Sequence, residues 1–144
     1  MKAAIPALAL LLTISACSPG TDATLPGEAD DTQPYAGIGE GETINMVGTE
    51  PFWSAELAGV TLTWTTPDQP GGIVGTVERF AGRGGYSLSG KLAGRSFDAT
   101  ITPTDCSDGM SDRSFPFAAT IRLGDEILDG CAWTSSQPFT EAEY

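Results

Sequence analysis

Trp53-Ser54-Ala55-Glu56-Leu57-Ala58-Gly59-Val60-Thr61-Leu62-Thr63-Trp64-Thr65 decides the fold class, because apolar and polar residues alternate along both of its halves. A period of two is the signature of a half-buried strand, whose successive side chains point to opposite faces. Val, Thr and Trp suit a pleated surface, and Ala58-Gly59 between the halves suits a tight turn, since glycine accepts positive φ at no steric cost. The same pattern begins at Ile44 and continues through Ile73–Phe80, Tyr86–Leu92, Ser96–Thr102, Phe115–Leu123 and Glu126–Trp133. Ala93-Gly94 and Gly124-Asp125 read as further hairpin turns. No stretch carries a helical period. The expected class is all-β: a small antiparallel β-barrel or sandwich of about seven to eight strands over residues 44–136, with residues 137–144 as a C-terminal tail.

Three cysteines divide into one plus two. Cys106 and Cys131 fall inside the β region, far from any Cys-x-x-Cys motif. They are expected to form a disulfide, closing a loop of about 25 residues and stabilising a small core by about 3.5 kcal/mol in the chain-entropy picture. Cys17 follows a short apolar run, Ala3 to Leu12, behind Lys2. That run is shorter than the roughly 20 residues a spanning helix needs, and small residues precede the cysteine as at a processing site. Residues 1–16 therefore read as a signal peptide. Ile14-Ser15-Ala16-Cys17 resembles the lipobox of bacterial lipoproteins. That resemblance implies cleavage before Cys17, acylation of Cys17, and, with Ser18 rather than Asp next, retention at the periplasmic face of the outer membrane. The membrane is then a partner through the lipid anchor, since two or more acyl chains hold stably where one does not. Residues 17–43 are rich in Pro, Gly, Thr, Asp and Glu, and read as a flexible acidic linker.

The chain carries a formal net charge of −12 and no histidine. Such a balance excludes nucleic acid, which demands basic patches, and favours a cationic envelope or host protein. The missing histidine removes the usual general base and the commonest metal ligand. Aligning Gly109 with the sixth position of an EF-hand loop puts Thr104, Cys106 and Phe115 at three ligand positions, so that calcium pattern fails. No metal and no cofactor are expected, and a monomer is.

Two segments have more character than strands require: Gly48-Thr49-Glu50-Pro51-Phe52-Trp53 and Cys106-Ser107-Asp108-Gly109-Met110-Ser111-Asp112-Arg113, with Gly130-Cys131 closing the domain. Together they resemble a family of small bacterial envelope lipoproteins of unassigned activity, similar in size and setting to META domains and to membrane-bound inhibitors of c-type lysozyme. The match runs over roughly residues 47–133; the Ser-Gly-x-Arg-Tyr-type loop of the inhibitors is absent. Read physically, Phe52 and Trp53 are large enough to seed a core. Glu50 is either an exposed turn residue or the partner of a buried arginine, and Asp112 with Arg113 offers an ion pair that would shape the loop. Loops on a rigid β scaffold are where recognition resides. The expected contact surface is therefore Glu50, Phe52, Trp53, Asp108, Met110, Asp112 and Arg113, serving a non-enzymatic binding or structural module. Inhibition of c-type lysozyme is the alternative, and a hydrolase using Glu50 and Asp112 the second.

Overall fold

The structure, a computed structural model, describes residues 32–141. The leader, Cys17 and the first part of the linker lie outside them. Eight antiparallel strands form one closed ring: β1 (Ile44–Thr49), β2 (Phe52–Ala58), β3 (Thr61–Thr66), β4 (Gln69–Ala81), β5 (Tyr86–Leu92), β6 (Arg95–Cys106), β7 (Arg113–Leu123) and β8 (Glu126–Thr134). Neighbours in sequence pair around the ring, except that β1 also takes β8, with Ile44 opposite Thr134 and Val47 opposite Cys131. Of the two expected architectures, the barrel is the one formed. A two-residue β9 (Thr140–Glu141) pairs only with the first residues of β7.

The period of two sorts the side chains. Leu57, Leu62, Phe97, Ile101, Phe117 and Ile121 point inward and are almost wholly buried, each stabilising the fold by about 1.5–3 kcal/mol. The buried interior is apolar apart from Thr134, and the charged residues stay out of it. Trp53 and Trp64 stack inside with ring centroids 4.9 Å apart, and Trp64 meets Phe97 edge-on at 6.2 Å. The Trp53 ring lies so close to the wall that a Cβ on Gly48 would come within 2.2 Å of its Nε1, and one on Gly130 within 2.7 Å of the ring. The two glycines of the sequence motifs are thus the space that the indole occupies. The β1–β2 turn is Glu50-Pro51, joined by a cis peptide bond.

Three expectations need correction. The linker does not run to residue 43: Ile38 is 3 % exposed and belongs to the core, the Tyr35 amide donates to Gly82 O at 2.7 Å, and Arg79 donates to Glu42 O at 2.6 Å. A lone isoleucine among polar residues gives no periodic signal, yet it is buried with the core. The tail is likewise engaged. Gln137 donates a side-chain hydrogen bond to Gly37 O, and Phe139 packs on Phe115 and Trp133. Lastly, Phe52 and Trp53 do not both enter the core. They sit on opposite faces of β2, leaving Phe52 53 % exposed and Trp53 4 %.

Candidate functional site

The disulfide Cys106–Cys131 forms as expected, between the last residue of β6 and the outward face of β8. Outward-facing Cys131 is nevertheless fully buried, because the chain after Cys106 folds over it. This segment, residues 107–112, runs as a strap across the outside of the barrel, and the Thr49 hydroxyl donates to Asp108 O at 2.9 Å. The loop and the Glu50–Trp53 segment, read separately in the sequence, are therefore neighbours. Asp108 shapes the strap by accepting the Met110 and Ser111 amides on Oδ1 at 3.0 and 2.8 Å, and the Ser111 hydroxyl on Oδ2 at 2.7 Å. These bonds, the Ser111 amide first, hold its carboxyl below the usual aspartate range.

The strap divides the surface into two depressions. On the β7–β8 side lies a groove of about 600 Å³. It is lined by Ala118, Thr120 and Asp129 of β7 and β8, by Cys106–Met110 at the strap, and by Glu50 of the β1–β2 turn. Met110 on the strap and Ile127 on β8 flank it at 68 % and 70 % exposure. Glu50, Asp108 and Asp129 line it, and no lysine or arginine does. On the other side lies a cleft of about 440 Å³ reached by Phe52, Asp108, Arg113 and Trp133.

The remaining expected site residues fall as follows. Trp53 is interior, so it supports the site from within. Its Nε1 has no partner among the described residues. Glu50 is an exposed turn residue, and Arg113 donates to Glu141 Oε1 at 3.0 Å while lying 4.4 Å from the Phe139 ring. Asp112 is exposed and lines neither depression, whereas Glu50 lines the groove. Ile127, Asp129 and Trp133 were missed. Their signal lay in the outward parity of β8, obscured because Cys131 and Ala132 are buried in succession.

Away from the strap, carboxylates brace the framework. Hydrogen bonds from the Ser136 hydroxyl, then Thr134, pull Glu42 down to about 2, and Arg122, then Ser89, lower Asp98. No group of three or more His, Cys, Asp or Glu side chains suited to a metal ion occurs among the described residues. No family model, curated protein or solved structure matches this chain.

Proposed function

We propose that this protein is a lipid-anchored envelope lipoprotein that acts without catalysis, binding a basic protein segment in the groove between the strap and the β7–β8 face. One observation carries the reading: two exposed apolar side chains, Met110 and Ile127, flank a groove whose charged lining is entirely acidic. Apolar anchors supply binding energy, while complementary charge supplies steering and register. The strap is pinned at both Cys106 and Thr49, so little ordering entropy is lost on association. The leader and Cys17 support the anchored setting.

The direct test titrates the purified protein against c-type lysozyme and against a lysine-rich peptide, following binding and muramidase activity together. Saturable binding that weakens on Met110→Asp or Ile127→Asp, and with added salt, is the expected result. Inhibition of the muramidase would identify lysozyme-type partners. Binding that ignores both substitutions, or turnover of a glycan lost in Glu50→Gln, would overturn the reading.

A further inference from the structure

The outer faces of β8, β1, β2 and β3 carry a second feature on the opposite side of the strap. The cleft beside Arg113 continues into a depression of about 300 Å³, the two sharing Val47, Ser54, Thr65 and Trp133. Register fixes the floor of this trough as rows. Trp133, Asn45, Glu56 and Thr63 stand side by side on four strands, and Val47, Ser54 and Thr65 form the next row. Phe52, opposite Thr49, ends the trough. Its length from Asn45 to Thr49 is about 13 Å at the usual strand rise.

The lining chemistry is specific. Asn45, Ser54, Thr63 and Thr65 are half-buried, and with Glu56 they engage in no side-chain hydrogen bond among the described residues. An amide, a carboxylate and three hydroxyls offer both donors and acceptors. Trp133 lines the trough and packs against Phe115 at a tilt and Phe139 edge-on, each at 5.5 Å. Charge is sparse here in a chain of net charge −12: Glu56 stands at one end, with Asp108 and the Glu141-paired Arg113 at the other. A peptide strand has nothing to pair with, because β1, β2, β3 and β8 are each hydrogen-bonded on both sides. Adaptable hydroxyl partners, an aromatic surface and little charge match a neutral polyhydroxylated chain.

We propose that this trough binds a neutral oligosaccharide, about two or three sugar rings long, with one ring stacked on Trp133 and the hydroxyl groups taken by Asn45, Ser54, Thr63 and Thr65. The trough meets the acidic groove at the strap, through Gly48, Thr49 and Asp108, but none of these sugar contacts lines the groove, so failure here leaves the groove reading untouched.

The experiment titrates the full chain, purified in detergent, with chitotetraose, cellotetraose and maltotetraose. It reads both calorimetric heat and tryptophan fluorescence. Saturable binding of at least one of the three is expected, and the preferred one reports whether N-acetyl groups and linkage are recognised. Trp133→Ala should weaken it about tenfold or more, on the scale of one aromatic contact. Because that change also disturbs Phe115 and Phe139, the pair Thr63→Val with Thr65→Val gives a second readout on an intact aromatic cluster, with the same direction expected. Met110→Asp should leave sugar binding unchanged. No binding of any of the three sugars, or binding that survives both the tryptophan and the threonine substitutions, overturns the proposal.

Discussion

Gly48 and Gly130 show how single residues set this barrel. Each stands where the Trp53 ring presses against backbone, and the nearest atoms to an added Cβ include the fixed carbonyls Asp129 O at 2.8 Å and Val47 O at 2.1 Å. Neither neighbour can yield. Gly48→Ala or Gly130→Ala should lower stability by about 1–3 kcal/mol or more through overpacking, measured by urea unfolding. Phe52 and Trp53 make a sharper contrast. Trp53→Ala should cost about 3–5 kcal/mol, whereas Phe52→Ala, at an exposed site, should stay within about 0.5 kcal/mol; equal effects would contradict the placement on opposite faces. A third residue governs acid behaviour. Glu42 is lowered from 4.5 to about 2 by its Ser136 and Thr134 partners. A depressed folded value means its contribution is present above about pH 4.5 and lost as pH falls through about 2. Solvent screening limits it to about 1 kcal/mol. Thermal unfolding between pH 5 and pH 2 should be flatter with pH in Glu42→Gln than in the wild type. The sequence showed none of this pairing, because Glu42 and Ser136 meet only through the closed ring.

At the level of elements, alternation located the strands well and their ends less well. Residues 73–80 belong to a longer β4 (Gln69–Ala81), whose start pairs across a register shift between Trp64 and Thr66. Gln69-Pro70-Gly71-Gly72 looks like a turn because Pro and Gly are poor strand formers, and only cross-strand pairing recruits it. β9 was invisible for the opposite reason: two residues have no period. The strap was legible as a pinned loop, but its path was not, since a disulfide fixes one point and the Thr49–Asp108 bond fixes the other. Removing the bridge with Cys106→Ser and Cys131→Ala together should lower stability by about 2–4 kcal/mol. It should also raise protease cleavage within residues 107–112 well beyond the global loss. Unchanged cleavage there would mean that the Thr49 contact and the aromatic cluster suffice to hold the strap.

For the whole molecule, composition spoke to charge, and topology had to come from long-range pairing. Barrel and sandwich differ here in whether β6 meets β7 and β8 meets β1, and such contacts leave no mark in a local window. Whether the molecule is anchored turns on Cys17. Labelled palmitate should enter the wild-type chain in cells and be absent from Cys17→Ser, and equal labelling would refute the lipoprotein reading.

The β8–β1 seam has a kinetic consequence. β1 begins at Ile44 and its partner β8 ends at Thr134, so the ring cannot shut until nearly the entire chain is available. Contacts of such sequence separation make for slow folding, in milliseconds to seconds for small all-β domains. During synthesis the early strands wait, unpaired on one side, for a partner that has not yet been made. The seam is therefore the last part of the ring to gain its cross-strand hydrogen bonds, however early the other hairpins form.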